Sequence, residues 1–287
     1  MRSAEAEAKA VELPERREAE HRPHRRRRRG RGWLLTSYFW LVILYTVVPI
    51  AVMVVYGFNK TPSQRVTFAW QGFTLQWYKQ AFDIPDLTAA LMNSLEIAAL
   101  STVIAVILGT PIALAMSRYR YRGKGATDLV IFADIAAPSV VVGASLLALF
   151  ITAGIPRGFG TILIAHVAFN VAFVVVTVRA RLAGVDQSLE EAAQDLGATP
   201  WMTFWKVTLP VILPGIIAAS LLAFALSIDD FIITSFVNGQ TLTFPLWVYG
   251  SVKVGIPPQV FVLGTLIFVL GVLVVIGNVV TARRRVA

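Results

Sequence analysis

The sequence predicts an all-α membrane protein with six transmembrane helices. Hydrophobic residues make up 56% of the chain, charged residues only 15%, and the mean hydropathy is +0.67. A soluble domain carries about a quarter charged residues, so the solvent around most of this chain is lipid. Each of six apolar runs is long enough to cross a hydrocarbon core of about 30 Å. The runs lie near residues 33–58, 89–116, 129–151, 161–178, 211–236 and 259–281.

The composition excludes several classes of cofactor site. The chain has no cysteine, which rules out disulfides, cysteine zinc sites and iron–sulfur clusters. Its three histidines, His21, His24 and His166, are scattered along the sequence. No pattern of His, Asp and Ser indicates bond chemistry. We therefore predict that the chain is not an enzyme and holds no metal or cofactor.

The chain begins with a polar arm, residues 1–32, which ends in a block of arginines at 25–31. We predict a disordered cytoplasmic tail that contacts anionic lipid. Nucleic-acid binding is not expected, because it would need a folded reader. Residues 33–287 form the predicted membrane domain.

The distribution of basic residues predicts the orientation. Of the 26 Lys and Arg residues, 21 lie on one side of the predicted spans, in the N-terminal arm, the 117–128 and 179–210 loops and the C-terminal tail. Cytoplasmic loops carry such an excess, so both termini and the 179–210 loop are predicted to be cytoplasmic. On the opposite side, the segment 59–88 is rich in aromatic residues and predicts an interfacial belt. These residues are Phe68, Trp70, Phe73, Trp77, Tyr78 and Phe82.

Residues 186–210, which we call the hairpin, have the pattern of two short helices joined by a turn. Ser188 and Glu191 fit a capping box at the start of the first helix. Gly197 supplies the left-handed position that ends it. Thr199 as N-cap and Pro200 at the first helical position predict the start of the second helix.

The hairpin has an apolar and an acidic side. We predict that four side chains bury on one face of its second helix: Trp201, Phe204, Trp205 and Val207. Two interpretations follow: a hairpin lying on lipid headgroups, anchored by its tryptophans, or a rigid loop that docks onto a partner. Glu190, Glu191 and Asp195 favour docking, because the anionic cytoplasmic leaflet repels acidic residues.

These residues resemble the EAA loop of permease subunits from binding-protein-dependent ABC importers. The match comprises Glu191, Ala192, Ala193, Gly197 and the run Val207-Thr208-Leu209-Pro210. The resemblance extends over residues 33–287. It includes residues 72–78, 93–95 and 227–231. Residues 227–231 and 251–255 are similar to the second permease subunit of spermidine/putrescine importers.

The resemblance implies a type I ABC importer permease fold in a bacterial inner membrane. It implies that the hairpin docks into a cytoplasmic ATPase dimer, which holds the ATP and magnesium. The coupling residues would be Glu190, Glu191, Ala192, Ala193, Asp195, Gly197, Leu209 and Pro210. Other implied partners are a second homologous permease, with a heterodimer favoured over a homodimer, and a soluble or lipid-anchored solute-binding protein. The implied solute is small and cationic, such as spermidine or putrescine.

Four carboxylates fall in or near the predicted spans: Asp229, Asp230, Glu96 and Asp134. Each buried charge costs about 2.5–3.5 kcal/mol on insertion scales, so these residues are candidates for a substrate pathway or gate. We place Asp229 and Asp230 in the outer half of the membrane, near a helix C-terminus, where they need a cation. That cation would come from the substrate, from Lys253 or from a partner subunit, and both a substrate role and a structural ion pair stay open.

Glu96 is predicted near the outer end of the second span, and Asp134 near the cytoplasmic start of the third. In an alternative hypothesis, the chain is an ion-coupled secondary transporter that uses these four carboxylates as proton carriers. His166 and Asn170 lie one turn apart on the fourth span and are predicted to form hydrogen bonds between helices.

Overall fold

A computed structural model gives the fold of residues 32–63 and 65–284, with side chains described from Trp33 to Gly277. The predicted tail lies outside the described residues, apart from Gly32. The helices are α1 (Gly32–Tyr56), α2 (Gln76–Lys79), α3 (Pro85–Arg118), α4 (Lys124–Ala136), α5 (Ser139–Thr152), α6 (Phe159–Leu182), α7 (Ser188–Asp195), α8 (Pro200–Thr203), α9 (Leu209–Ile228), α10 (Ile232–Val237), α11 (Phe244–Ser251) and α12 (Pro258–Arg284). A π-helical turn, Phe204–Thr208, joins α8 to α9.

Within the described residues, five helices are long and apolar enough to span a membrane. They are Trp33–Tyr56, Pro85–Arg118, Phe159–Leu182, Pro200–Ile228 and Pro258–Gly277. A sixth span results if the bent pair α4–α5 counts as one. The chain divides into two units between Val52 and Met53. In the first unit, the described residues are 32–52 of α1, and the second unit contains all the other helices.

The third predicted span is not one straight helix. Its halves, α4 and α5, meet at an angle of 108°. The break falls at Ala137 and Pro138, both of which have extended backbone. Proline disfavours the helical conformation of the residue before it, and the chain turns here. At 1.5 Å per residue each half is about 20 Å long, shorter than the hydrocarbon core. The third predicted span is therefore a bent pair of helices, and it counts as a span only if its two halves are taken together.

The core of the second unit is formed by α3, α6 and α9, which pack on one another. Small residues line their contacts, including Ala105, Ala219 and Ala223, all essentially inaccessible to solvent. On Gly109, a Cβ atom would lie only 2.7 Å from Val174 Cγ1. Small side chains let helix backbones approach closely, which is the main packing device available in lipid. The close approach brings polar groups on three helices within hydrogen-bonding distance.

In the aromatic segment before α3, Trp77 faces inward, and Tyr78 is partly buried against the same core cluster. Trp77 is 3% exposed, and its indole Nε1 donates to the backbone oxygen of Asn59 at 2.8 Å. It packs with apolar residues of α3 and α12. The predicted interfacial belt was therefore wrong for Trp77. Other members of the predicted belt are exposed: Phe68, Trp70, Phe73 and Phe82.

The fifth predicted span also ends earlier than expected. Helix α9 stops at Ile228, and a short helix, α10, starts at Ile232 and packs against α5 and α6. Asp229 and Asp230 occupy the break between them. The sequence predicted that both aspartates lie on one continuous helix, and this prediction was wrong.

Candidate functional site

The first helix of the hairpin is capped by a residue that the sequence analysis missed. The Asp186 carboxylate accepts a hydrogen bond from the backbone N–H of Ser188 at 3.0 Å, and this bond lowers the pKa of Asp186. The backbone N–H of Glu191 donates to the Gln187 carbonyl instead of the Ser188 hydroxyl. The predicted Ser188 capping box was therefore wrong. A carboxylate accepts more strongly than a hydroxyl, and Asp186 stands two residues before Ser188.

The turn of the hairpin matches its prediction. Gly197 has a φ of +88°, the left-handed conformation expected of it. Its N–H donates to the Gln194 carbonyl, and the Ala198 N–H donates to the Ala193 carbonyl. This bond pair is a Schellman motif, which satisfies the last carbonyls of α7. The hydroxyl of Thr199 then accepts from the Met202 N–H at 3.3 Å and begins α8 as predicted.

The second arm of the hairpin continues into the membrane domain without a loop. In the π-helical turn, the Leu209 N–H donates to the Phe204 carbonyl, five residues earlier. Pro210 has no N–H to continue the α-helical pattern, and the wider turn accommodates its ring. As a result, residues 200–228 form one uninterrupted helical path. The second arm of the hairpin is therefore continuous with α9.

Glu190 links the hairpin to α3. One of its carboxylate oxygens lies 3.0 Å from Nη2 of Arg118, the last residue of α3, and 3.1 Å from the Thr208 hydroxyl. All three side chains are largely buried. Arg118 and Thr208 were missed because nothing local in the sequence marks them as partners. The sequence indicated only that Arg118 ends a predicted span on the same side of the membrane as the hairpin.

A further contact ties α6 to the same point. The Arg181 guanidinium donates through Nε and Nη2 to the Val211 carbonyl, at 3.2 and 3.1 Å. On Gly215, a Cβ atom would lie 2.6 Å from Arg181 Cβ, so the arginine packs directly on the α9 backbone. The ends of the three core helices are thus joined at the base of the hairpin.

The hairpin exposes both apolar and acidic side chains. Leu196 is 90% exposed and Trp201 is 71% exposed. The prediction that the tryptophans bury was wrong for Trp201 and Trp205, both of which are exposed in the chain alone. Glu191 and Asp195 are also exposed, whereas Glu190 faces inward. Of the three acidic residues, Glu190 therefore makes an internal contact, whereas Glu191 and Asp195 are surface charges.

Replacing Glu190 by glutamine is expected to loosen the hairpin. The Arg118 guanidinium, whose Nε already has no hydrogen-bond partner among the described residues, would lose its carboxylate. Hydrogen bonds to charged groups contribute about 1.5–3 kcal/mol, so amide exchange in residues 188–195 should rise at least about tenfold. Hydrogen–deuterium exchange measures this, and Glu191→Gln is the matched control. Equal exchange in the two variants would refute the link.

A second polar site lies between four helices, around Asp230. One oxygen of this carboxylate accepts from the Thr234 N–H at 2.8 Å and from the Thr234 hydroxyl at 2.7 Å. Its other oxygen lies 3.4 Å from the Ile233 N–H. Asp230 thus caps the start of α10, where the helix dipole favours a negative charge. The expected unfavourable position at a helix C-terminus was wrong for Asp230.

His166 connects this cap to the core. Its Nε2 lies 2.9 Å from the Thr234 hydroxyl and 3.3 Å from the Asp230 carboxylate. Its Nδ1 lies 2.6 Å from the Ser227 hydroxyl, which also contacts Ser101 of α3 at 3.1 Å. These partners favour a proton on Nε2 and an accepting Nδ1. The structure places His166 beside Asp230. His166 was not among the partners predicted for Asp230.

The remaining predicted residues do not join this network. Asn170 is fully buried, yet its amide has no hydrogen-bond partner among the described residues, so its predicted interhelical bond is absent. Glu96 is exposed on α3, and Asp134 is half-buried on α4. Asp229 is exposed beside Asp230. In the described part of the chain, no group of three His, Asp or Glu side chains could hold a metal ion.

Comparison with known sequences identifies relatives over most of the chain. Residues 105–286 match a family described as binding-protein-dependent transport system inner membrane component. The spermidine/putrescine transport system permease protein PotC of Haemophilus influenzae is 38% identical over 256 residues, covering 88% of this chain and 98% of the relative. The putrescine transport system permease protein PotI of Escherichia coli K12 is 41% identical over 241 residues, covering 81% and 84%.

Solved structures give the same fold. A chain of a bacterial ABC transporter involved in the import of alginate superposes with a TM-score of 0.61 at 19% identity, covering 88% of this chain and 95% of the other. A chain of an amino acid ABC transporter gives a TM-score of 0.57 at 20% identity, covering 74% and 100%. These likenesses confirm the predicted type I ABC importer permease fold.

Proposed function

The chain belongs to the binding-protein-dependent transport system inner membrane components, and we propose that its hairpin is the joint through which a cytoplasmic ATPase moves the membrane helices. As in its relatives, the chain is a multi-pass membrane permease subunit of an ATP-driven ABC importer, and not an enzyme. The ATPase dimer would hold the ATP and magnesium. The proposal places the hairpin and both chain termini in the cytoplasm of a bacterial cell, at its inner membrane.

One observation carries this proposal: the hairpin is fixed on its inner side and exposed on its outer side. Glu190 holds it to α3, and the unbroken helical path holds it to α9. Leu196 and Trp201 are exposed, and so is the acidic Glu191. A cavity of about 290 Å³ lies between its two arms. Exposed apolar side chains on a rigid hairpin suit a protein partner, whereas an anionic lipid surface would repel the carboxylates.

The hairpin residues divide into two roles in this proposal. Glu191, Ala192 and Asp195 would contact the ATPase, because they are exposed on α7. The others would keep the hairpin in shape and attached: Glu190, Ala193, Gly197, Leu209 and Pro210. A displacement of the residues that contact the ATPase would then move α3 and α9 together. Such a joint needs no flexible loop.

We propose a polyamine such as putrescine or spermidine as the solute, because the relatives described above are named for these compounds. The remaining partners would be a second homologous permease, which completes the pathway, and a soluble or lipid-anchored binding protein that delivers the solute. A heterodimer of permeases is favoured over a homodimer. Of the four intramembrane carboxylates, Glu96 and Asp134 have no hydrogen bond to the aspartate pair among the described residues, which does not support the proton-relay alternative.

Uptake by reconstituted vesicles tests the proposed function. The complex purified from native membranes is placed in liposomes with ATP inside and radiolabelled putrescine and binding protein outside. The expected result is uptake that requires both ATP and the binding protein. Uptake by this chain alone, driven by a proton gradient, would contradict the proposal and support an ion-coupled transporter.

A further inference from the structure

We propose that a basic cavity at the base of the hairpin binds the phosphate group of an anionic phospholipid from the cytoplasmic leaflet. The cavity has a volume of about 790 Å³ and lies where α3 and α6 end and where α4 and the hairpin begin. This inference goes beyond the proposed function. It rests on that function only for the orientation, which places the hairpin in the cytoplasm.

Three basic side chains line the cavity: Arg118, Lys124 and Arg179. Arg118 forms an ion pair with Glu190, and Arg179 donates to the Asp128 carboxylate at 2.6 Å. The ammonium group of Lys124 has no hydrogen bond or ion pair among the described residues, although the side chain is partly buried. The cavity therefore contains a cation without a counterion, beside two arginines that add positive potential.

The other charges around the cavity do not neutralise Lys124. Among the described residues that line the cavity, Asp186 is the only acidic one, and its carboxylate accepts a hydrogen bond from the Ser188 N–H. Lys124 is also the first residue of α4, whose N-cap, Gly123, has no side chain to accept from the first N–H groups of the helix. Open N–H groups and the helix dipole favour an anion at this end of α4. A phosphate group would complement both the lysine and the helix terminus.

The position of the cavity favours a lipid over a soluble phosphate. Two apolar helices long enough to span a membrane, Pro85–Arg118 and Phe159–Leu182, end at it, which is the level of lipid headgroups. Tyr119 is 68% exposed, and Leu129 and Val130, on the second turn of α4, are 66% and 67% exposed. Tyrosine is frequent at the membrane interface, and exposed apolar side chains provide a surface for acyl chains. Basic pockets between helices on the cytoplasmic side are typical headgroup sites.

A lipid in this cavity would stabilise the base of the hairpin. Arg118, which lines the cavity, also binds Glu190 of the hairpin, and residues 185–187 form part of the wall. A ligand stabilises the conformation that forms its site. Anionic phospholipid should therefore stabilise the arrangement of α3, α4 and the hairpin.

The test measures the melting temperature of the complete purified chain in detergent, at about 0.15 M salt, while short-chain phosphatidylglycerol is added. The lipid is expected to raise the melting temperature of the wild type. Lys124→Gln should raise the half-saturating lipid concentration at least about tenfold, because a charge-assisted hydrogen bond is lost. Arg120→Gln is the matched control: it removes the same charge from the same loop, outside the cavity lining. Its half-saturating concentration should stay within about twofold of wild type, because salt screens an exposed charge.

The alternative outcomes decide between a lipid site, a phosphate site and no site. Equal half-saturating concentrations for Lys124→Gln and Arg120→Gln overturn the inference. Equal stabilisation of the wild type by phosphatidylcholine of the same chain length, or by inorganic phosphate at the same concentration, overturns the lipid assignment. No ATPase is present in this measurement, so its result does not depend on the vesicle test of the proposed function.

A second variant applies if Lys124→Gln does not accumulate as folded protein. Gln187→Glu places a carboxylate in the cavity lining at an exposed position. Repulsion between this carboxylate and the phosphate should weaken lipid binding at least about fivefold. Binding within twofold of wild type would then overturn the inference.

Discussion

Replacing Glu191 by lysine is expected to abolish ATP-driven uptake while the protein stays folded and inserted. Glu191 is exposed, and its side chain has no hydrogen bond or ion pair among the described residues, so the fold of this chain does not depend on its charge. Reversing that charge in a docking surface costs several kcal/mol. Uptake should fall about 100-fold, the equivalent of roughly 2.7 kcal/mol. Uptake and ATP hydrolysis are measured on the same vesicles.

The control is a charge reversal elsewhere on the same predicted side of the membrane. Arg120→Glu changes an exposed residue of the loop between α3 and α4, so uptake should stay near wild type. Gly197→Asp is expected to uncouple ATP hydrolysis from uptake as Glu191→Lys does, because its left-handed backbone strains an aspartate and distorts the turn. Normal uptake by Glu191→Lys and Gly197→Asp would remove the coupling role of the hairpin.

Replacing Asp230 by alanine is expected to destabilise the membrane domain strongly. The variant would uncap α10 and leave His166, which is 3% exposed, without its carboxylate. Losing a helix cap costs about 1 kcal/mol and leaving a buried donor without its acceptor about 1–3 kcal/mol, so the loss is about 3 kcal/mol, which corresponds to a melting temperature about 6–12 °C lower. Thermal unfolding of the purified protein in detergent measures the change. His166→Ala should have a similar effect, because it removes the link between α6 and the α9–α10 junction.

The neighbouring aspartate provides the matched control. Asp229→Ala makes the same chemical change one residue earlier, at an exposed position, and should shift the melting temperature by no more than about 2 °C. If Asp229→Ala and Asp230→Ala have equal melting temperatures, the network around His166 does not hold the junction.

Local features of the hairpin could be predicted because local chemistry determines them. Gly197 has the left-handed conformation that ends α7, and Thr199 caps the next helix. The start of α7 could not be predicted in the same way, because Asp186 and Ser188 both suit that position. Competition between two local acceptors is decided by backbone geometry, which the sequence pattern does not contain.

The long-range contacts could not be predicted from the sequence. Glu190 and Arg118 lie 72 residues apart, and nothing around either residue indicates the other. The cost of burying a charge shows that Asp230 needs a partner, yet it does not distinguish His166 from Lys253 or a solute. Hydropathy also does not detect the 108° bend at Pro138, because both halves of the bent pair are apolar. Tertiary packing determines each of these features.

Crosslinking from the hairpin tests the central claim most directly. The chain has no cysteine, so Leu196→Cys provides a unique thiol at the turn for a photoreactive maleimide, and Asp83→Cys provides one outside the hairpin. After illumination of native membranes, we expect the Leu196→Cys label, and not the Asp83→Cys label, to join this chain to a polypeptide that hydrolyses ATP. A Leu196→Cys label that joins only to lipid would contradict the account.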